Sequence, residues 1–202
     1  LLKNADVAMY NAKQERNAWM LYRADMNANA AVRLGMEIEL RHALVRKEFE
    51  LHFQPQLNVR SGALVGMEAL LRWTNQTLGP VSPADFIPLA EETGLIVPIG
   101  EWILRATCAQ CKAWEHAGLT PFPVSVNIAA PQFRRSSLSQ LVRAVLTDYS
   151  LDPRWLALEI TESSIMRHAE QTIQMLSELR ELGVSLLIDD FGTGYSSLSY
   201  LK

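Results

Sequence analysis

The spacing of hydrophobic and polar positions changes near residue 49. It predicts helices before that point, and strands alternating with helices after it. Apolar residues recur on one side of a helix over residues 1–20, and residues 24–36 form a polar connector rich in Ala and Asn. A rough apolar stripe predicts a second helix over residues 37–48. Helical segments therefore precede the main body of the fold.

Two strands come next, and the length of their connection fixes their relative direction. Residues 49–59 alternate as a strand, and residues 64–73 form a second, more apolar strand. Only residues 60–63 lie between them. Because a parallel crossover needs about a dozen residues or more, we expect an antiparallel hairpin.

The rest of the chain alternates between the two kinds of element. The predicted helices cover 83–93, 98–117, 136–149 and 164–182, and the predicted strands cover 123–129, 155–161 and 184–190. This rhythm indicates βαβ units and a parallel sheet. Two α/β architectures remain open on this pattern, a doubly wound open sheet and a closed (β/α)8 barrel.

Composition and charge are those of a globular domain. The chain has 202 residues, of which 49% are hydrophobic and 20% charged, which excludes disordered and collagen-like classes. A net charge of −3 argues against a surface that coats nucleic acid, so no DNA partner is expected. Cys108 and Cys111 have the spacing of one helical face and are predicted to be core residues, which suits a reducing cytosol.

Side chains with oxygen ligands recur where the predicted strands end. They are Glu68, Asn127, Glu159 and the pair Asp189 and Asp190. The C-terminal ends of strands share one face in α/β folds, so these side chains are expected to converge. Oxygen donors without His or Cys suit Mg²⁺ or Mn²⁺ rather than zinc. A single strand-end acid is often only a helix cap, and Glu162 fits that alternative, but four such positions favour a metal site.

Two further side chains are candidates for substrate contacts. The Arg72 guanidinium suits bidentate phosphate binding, although an ion pair with a site carboxylate explains it equally well. Gln54 is a candidate contact for a base edge, against the default of an ordinary strand amide. The segment Asp-Phe-Gly at 190–192 does not indicate a kinase, because no other kinase motif precedes it.

Several ordered segments together carry a family resemblance. The chain contains FQPQ at 53–56, EALLRW at 68–73, SPADFIPLAE at 82–91, VN at 126–127, EITE at 159–162 and DDFGTGYSSL at 189–198. From about residue 37 to 202 it resembles EAL domains, which are bacterial phosphodiesterases of cyclic di-GMP. The segment NADVAMY at 4–10 resembles the last helix of a GGDEF (diguanylate cyclase) domain. We therefore expect a GGDEF remnant over 1–24, a linker over 25–36, and an EAL domain over 37–202 that is incomplete at its C terminus.

The resemblance implies a fold and an activity. The fold is a (β/α)8 TIM-like barrel with an antiparallel first strand, truncated here after about the fifth strand. The activity is hydrolysis of cyclic di-GMP to linear 5′-pGpG, within a bacterial GGDEF–EAL signalling protein, with two Mg²⁺ or Mn²⁺ ions as cofactors. The implied partners are cyclic di-GMP and a second copy of the chain, which would dimerise through the region after the fifth strand. The implied location is cytoplasmic, with any attachment to the inner membrane made by upstream segments.

The resemblance also assigns roles to residues. The metal ligands fall on Glu68, Asn127, Glu159, Asp189 and Asp190. Among these, Glu68 and Asp190 are implied to be catalytic, and Asp190 holds the second metal or the water. Glu162 is the third residue implied to be catalytic, and it matches the residue that keeps the loop after the fifth strand in its active arrangement. Gln54 and Arg72 match substrate contacts.

A second hypothesis is a degenerate EAL domain that binds cyclic di-GMP or a protein partner without turnover. Degenerate domains typically lose their metal-binding acids. Every acid of the motif that falls within this chain is present, which favours an enzyme for the full-length protein.

We expect the 202-residue chain on its own to be inactive and poorly soluble. The reason is that an unclosed barrel exposes strand edges and apolar surface. The measurement is product chromatography after incubation of the purified chain with cyclic di-GMP and Mg²⁺. A soluble chain that releases pGpG would contradict the expectation.

Overall fold

The architecture is described here from a computed structural model. It covers residues 24–119, 122–133, 138–161 and 169–189, together with the single positions 5, 9, 19 and 21. The strands are β1 (Phe49–Leu57), β2 (Leu64–Asn75), β3 (Gly79–Val81), β4 (Val124–Ile128), β5 (Leu156–Thr161) and β6 (Ser185–Asp189). The helices are α1 (Ala24–Ala43), α2 (Pro83–Thr93), α3 (Ile96–His116), α4 (Ala130–Phe133), α5 (Leu138–Asp148) and α6 (Ala169–Glu181), with a 3-10 turn at Pro153–Trp155.

The strands form one mixed sheet in the order β1-β2-β4-β5-β6. Strand β3 pairs with the last three residues of β2, on the edge away from β1. Strand β1 is antiparallel to β2, whereas β2, β4, β5 and β6 are mutually parallel. Both the predicted hairpin and the predicted βαβ units are therefore confirmed. The parallel direction brings the C-terminal ends of β2, β4, β5 and β6 to the same edge of the sheet.

The largest difference from the predicted elements lies in α1. The helix predicted over 37–48 begins at Ala24 and ends at Ala43, and residues 44–47 form a turn in which Lys47 has a φ of 57°. Residues 24–36 were expected to be a connector because they lack an apolar stripe. They contain several Ala and no Pro, so helix propensity favours the helix without that stripe. Of the helix predicted over 1–20, Ala5, Met9 and Trp19 are described; Ala5 and Met9 are helical, whereas Trp19 is in neither a helix nor a strand.

Strand β3 was not predicted, and its composition explains why. It has three residues, and Gly79 and Pro80 are among the types that are depleted in strands. The strand forms because the turn after Asn75 folds the chain back onto Trp73 and Asn75, where it pairs with β2.

Helix α2 shows how local sequence signals set the element boundaries. Its first turn is capped by the Ser82 hydroxyl, which accepts a hydrogen bond from the Ala84 backbone N–H at 3.3 Å. Pro83 occupies the first helical position, where its missing N–H costs nothing. Gly94 ends the helix with a φ of 75°, a conformation that glycine adopts without a Cβ penalty.

The core lies between the sheet and the helices that pack on its outer face. Alternate strand residues point into it, and the fully buried ones are Trp73, Val124, Val126, Leu156, Leu158 and Ile160. Helix α3 contributes Leu104, Cys108 and Cys111 from the opposite side. The prediction that both cysteines are core residues is confirmed. Burial raises the pKa of Cys108 to about 12 and that of Cys111 to about 11, so both thiols stay protonated at neutral pH.

A group of polar side chains lies where α1 meets the end of β2, and we call it the Glu48 cluster (Glu39, Arg46, Glu48, Trp73 and Asn75). The Trp73 indole N–H and the Asn75 amide each donate to one oxygen of Glu48 at 3.0 Å. The Asn75 amide also donates to Glu39 of α1 at 3.0 Å, and Arg46 donates to the same Glu39 oxygen at 2.5 Å. The other Glu48 oxygen is buried without a hydrogen-bond partner. The cluster therefore ties the end of β2 to α1.

Within the described part of the chain, no helix is both long and apolar enough to cross a lipid bilayer.

Replacing Leu158 by Ala is expected to lower the free energy of unfolding by about 2–5 kcal/mol, because it leaves a cavity in the core between β5 and the helices. Urea unfolding followed by circular dichroism measures the change. Val59→Ala is the matched control, because Val59 is 100% exposed and its truncation removes no buried contact. Equal effects of the two substitutions would contradict this placement of the core.

Candidate active site

The strand-end side chains lie on the face of the sheet opposite the core. Successive side chains in a strand alternate between faces. Val126 and Ile128 of β4 are buried against the helices, so Asn127 between them points to the other face. The same alternation places Glu159 between the buried Leu158 and Ile160 of β5. Glu68 of β2 and Asp189 of β6 reach this face in the same way.

Glu68 and Asn127 are in direct contact. The Asn127 amide Nδ2 donates a hydrogen bond to Glu68 Oε1 at 2.8 Å, although the two residues are 59 positions apart in the sequence. The register explains the contact, since Glu68 lies opposite Ser125 in the β2–β4 ladder, two residues before Asn127. The parallel pairing of β2 and β4 thus joins two of the predicted site residues.

Glu159 lies deepest in the site and has unfavourable electrostatic surroundings. It is 9% exposed and lies opposite Asn127 in the β4–β5 ladder. Burial raises the pKa of its carboxyl group, and the nearby carboxylates of Glu68 and Asp189 raise it further. The polar side chains of Ser125 and Gln56 lower the pKa, but they only partly offset these effects. The structure therefore brings three of the predicted carboxylates close enough to interact.

The donor set is compatible with a hard divalent cation. In the ranges that the structure describes, no three side chains of the types His, Cys, Asp and Glu are grouped so as to hold a metal ion. The converging donors are a mixed set, the carboxylates of Glu68, Glu159 and Asp189 with the amide of Asn127, and such oxygens suit Mg²⁺ or Mn²⁺. The repulsion that raises the pKa of Glu159 is the condition that a bound cation would relieve.

Two of the predicted site residues, Glu162 and Asp190, lie outside the described residues. The loop over 191–198 also lies outside them, and so does the region after the fifth strand through which dimerisation is predicted. Their roles remain predictions.

A cavity of about 390 Å³ lies between the sheet and helices α2 and α3; of Glu68, Asn127, Glu159 and Asp189, Asn127 alone lines it. Arg72, Asn127 and Thr161 line it on the sheet side, and Ile87 and Glu91 of α2 line it on the helix side. Its volume is within the usual range for small-molecule sites, and its walls combine apolar and polar groups.

Arg72 is oriented within this cavity by its own strand. Its Nη1 donates to the Leu71 carbonyl at 2.9 Å. Among the described residues Arg72 takes part in no ion pair, so the alternative of a bridge to a site carboxylate is not seen in this part of the chain. Gln54 is exposed and lies opposite Glu68 in the β1–β2 ladder, which places it on the face that carries the site.

Sequence reasoning missed Gln56 and Ser125, whose polar side chains both lower the pKa of Glu159. A signal for Gln56 was present, because it lies two residues after Gln54 and therefore on the same face of β1. Ser125 has the same relation to Asn127 on β4. Neither residue carries a distinctive chemical group, and their contact with Glu159 depends on the register of three strands.

The chain is similar to known proteins in both sequence and structure. A family model described as the EAL domain matches residues 37–202. The chain is 47% identical over 203 residues to the bifunctional diguanylate cyclase/cyclic di-GMP phosphodiesterase MucR of Pseudomonas aeruginosa, a match that spans 100% of this chain and 30% of that protein. It is 43% identical over 203 residues to the cyclic di-GMP phosphodiesterase NbdA of the same organism, across 100% of this chain and 26% of that protein. The chain thus spans less than a third of the length of these two relatives.

A solved structure of the PaMucR phosphodiesterase in complex with c-di-GMP superimposes on the chain with a TM-score of 0.79 at 46% identity. The match covers 83% of this chain and 68% of that one. The similarity therefore extends to the backbone that positions the site.

Replacing Glu159 by Gln is expected to stabilise the metal-free protein at neutral pH. The raised pKa means that the folded protein holds the Glu159 proton more tightly than the unfolded chain does. The stability that this proton provides is present below the ordinary value of 4.5 and is lost as the pH rises through the raised value. Thermal melting in EDTA should show a higher melting temperature for E159Q at pH 7.5 and a smaller difference at pH 4. An equal or lower melting temperature for E159Q at pH 7.5 would contradict the electrostatic description of the site.

Proposed function

The chain belongs to the EAL domain family, whose fold is the (β/α)8 barrel, and from this premise we propose that it forms part of a metal-dependent phosphodiesterase. The proposed reaction is hydrolysis of cyclic di-GMP to linear 5′-pGpG. The single observation that carries the proposal is the convergence of Glu68, Asn127, Glu159 and Asp189 on one face of the sheet. The 2.8 Å bond between Asn127 and Glu68 and the mutual influence of the three carboxylates support it.

The residues of this chain would hold the cations that promote the reaction. In hydrolysis, a water oxygen bonds to phosphorus, the bond from phosphorus to the 3′ oxygen breaks, and the 3′ oxygen leaves with a proton. Glu68, Asn127, Glu159 and Asp189 would hold the cations. Bound Mg²⁺ or Mn²⁺ supplies neutralisation of phosphate charge and a lower pKa for a coordinated water. The Glu162 and Asp190 roles implied by the resemblance belong to the same proposal.

The cavity beside the site suits part of the substrate. Arg72 lies at its edge with a guanidinium that can pair with a phosphate oxygen. Asn127 lines the cavity and also hydrogen-bonds the Glu68 carboxylate. A phosphodiester held by Arg72 would therefore lie next to the donor oxygens. Gln54, on the exposed face of β1, would contact the substrate from the other side of Glu68.

The wider context is also part of the proposal. The activities of MucR and NbdA support a bacterial signalling protein, with GGDEF and EAL parts, as the full-length form. Cytoplasmic location and a homodimer formed through the region after β6 are proposed on the same family grounds.

Glu68→Ala in the full-length protein is expected to lower the rate of pGpG formation by at least about 100-fold, because it removes a donor to the cation and the partner of Asn127. Purified protein is incubated with cyclic di-GMP and Mg²⁺, and the products are separated by chromatography. Removal of the metal with EDTA should abolish the reaction of the unaltered protein.

The matched control is Glu101→Gln, an exposed carboxylate on α3 that pairs with Arg105 away from the site. It should leave the rate unchanged. If the unaltered protein binds cyclic di-GMP but forms no pGpG, the phosphodiesterase proposal fails and the receptor hypothesis replaces it.

A further inference from the structure

The turn that follows β4 is closed by one buried side chain, that of Gln132. A single residue, Ala129, separates β4 from α4. The Ala129 backbone N–H donates to the Gln132 side-chain oxygen Oε1 at 2.8 Å, and the Gln132 backbone N–H donates to the Ala129 carbonyl at 3.0 Å. Gln132 is 5% exposed and is the third residue of α4, a position from which a glutamine side chain can accept from the N–H of the capping residue. The two hydrogen bonds therefore fix the backbone at the point where the strand ends.

The carboxamide group of Gln132 lies against Gly100 within α3. A Cβ on Gly100 would overlap Gln132 Nε2 and would lie 2.8 Å from Cδ and 3.2 Å from Oε1. Gly100 is buried and is not among the residues with a positive φ, so its role is to provide room and not backbone freedom. Glycine within a helix is destabilising relative to alanine. The contact with Gln132 explains why α3 has a glycine at this buried position.

The turn bears on Asn127, which lies two residues before Ala129. The pairs of the β2–β4 ladder end at Ala69 and Val126, so Asn127 lies just past the last pair that joins its strand to β2. Its amide Nδ2 nevertheless donates to Glu68 Oε1 of β2 at 2.8 Å. Because the amide nitrogen is used in this bond, Oδ1 is the Asn127 atom available to a cation. The direction of that oxygen depends on where the turn holds the end of β4.

We propose that Gln132 is a positioning residue of the metal site. By accepting from the Ala129 N–H it holds the end of β4, and with it the Asn127 amide in the orientation that suits a cation. Gly100 supplies the space that the Gln132 side chain needs. The inference rests on the proposed function, because it assigns Asn127 to the metal site. Groups that orient a metal ligand typically change metal affinity by about 10–100-fold when they are removed, and Gln132 is expected at the lower end because it holds the backbone of the ligand's strand.

The test measures Mn²⁺ binding to the full-length, nucleotide-free protein by isothermal titration calorimetry. Gln132→Met keeps most of the side-chain volume and removes the acceptor, so it should weaken Mn²⁺ binding by about tenfold. Gln132→Glu keeps an accepting oxygen and should bind Mn²⁺ nearly as tightly as the unaltered protein does. Gln174→Met, on the exposed face of α6, is the matched control and should leave the affinity unchanged.

A merely structural role of Gln132 would give a different result. Gln132→Met would then lower the melting temperature in EDTA and leave the Mn²⁺ affinity unchanged, which would overturn the proposal. Equal losses of affinity in Gln132→Met and Gln132→Glu would also overturn it, because the accepting oxygen would then have no part in the effect.

A double-mutant cycle tests whether Gln132 acts through Asn127. Asn127→Ala alone should weaken Mn²⁺ binding while the three carboxylates keep the affinity measurable. In that background Gln132→Met should cause little further loss, because the amide that Gln132 positions is already gone. If the two losses of affinity simply multiply, Gln132 does not act through Asn127 and the assignment is wrong.

An exchange of size tests the contact between Gln132 and Gly100. Gly100→Ala alone should lower both the melting temperature and the Mn²⁺ affinity, because the new methyl group displaces the Gln132 side chain. In the Gln132→Ala background Gly100→Ala should instead raise the melting temperature, since the methyl group enters vacated space and alanine favours the helix. A fall or no change in that background would overturn the role given to Gly100.

Two ligand variants separate failure of this inference from failure of the proposed function. If Asn127→Ala weakens Mn²⁺ binding while Gln132→Met does not, only the positioning role is wrong. If Asn127→Ala leaves the affinity unchanged while Glu159→Gln loses binding, Asn127 is not a ligand and the inference fails with a metal site still present. If Glu159→Gln binds Mn²⁺ as well as the unaltered protein does, or the unaltered protein binds none, the metal site itself is wrong and both proposals fail.

Discussion

The burial of Glu159 beside two other carboxylates is the constraint on which the organisation of the site depends. Burial and like charge both oppose its ionisation, and a bound cation would relieve both effects. The parallel sheet imposes the arrangement, because β2, β4, β5 and β6 run in one direction and their register brings Glu68, Asn127, Glu159 and Asp189 together on one face. The polar side chains of Ser125 and Gln56 lower the pKa of Glu159 but leave it raised. Negative charge that the fold concentrates in this way is suited to a cation.

The antiparallel first strand gives this site something that a fully parallel barrel would lack. Strand β1 runs from the strand-end edge back toward the hairpin, so its side chains meet the site in the reverse order. Gln54 lies opposite Glu68, and Gln56 lies opposite Gly66, one step nearer the hairpin. One short segment can therefore reach the exposed edge of the site with Gln54 and the buried carboxylate of Glu159 with Gln56. The four-residue link that makes the hairpin antiparallel thus also determines that Gln54 and Gln56 lie on the face with the donor oxygens.

Much of the fold could be predicted from local sequence patterns, and the members of the site could be predicted from the polar residues near the ends of strands. The short link predicted the hairpin, and the 30-residue rhythm predicted the parallel strands, because both depend on neighbouring residues. Helix α1 was placed too late, since its first half has helix propensity without an apolar stripe. Gln56 and Ser125 could not be identified as partners of Glu159, because their contacts need the register of β1 against β2 and of β4 against β5. Register is a property of paired strands, and alternation within one strand indicates a face but not an opposite neighbour.

The Glu48 cluster connects the sheet to helix α1. Strand β2 carries Glu68 and Arg72, and it ends at Trp73 and Asn75, whose side chains both bind the buried Glu48 carboxylate. The other Glu48 oxygen has no hydrogen-bond partner, although Arg46 Nη1 lies 3.9 Å from it. Removing Glu48 would take the acceptor from the Trp73 indole and the Asn75 amide, and an unsatisfied buried group costs about 1–3 kcal/mol. Asn75 also binds Glu39 of α1, so the end of β2 is fixed partly by a helix outside the sheet. The strand that carries Arg72 at the edge of the cavity is thus attached at its end to α1 by side-chain hydrogen bonds.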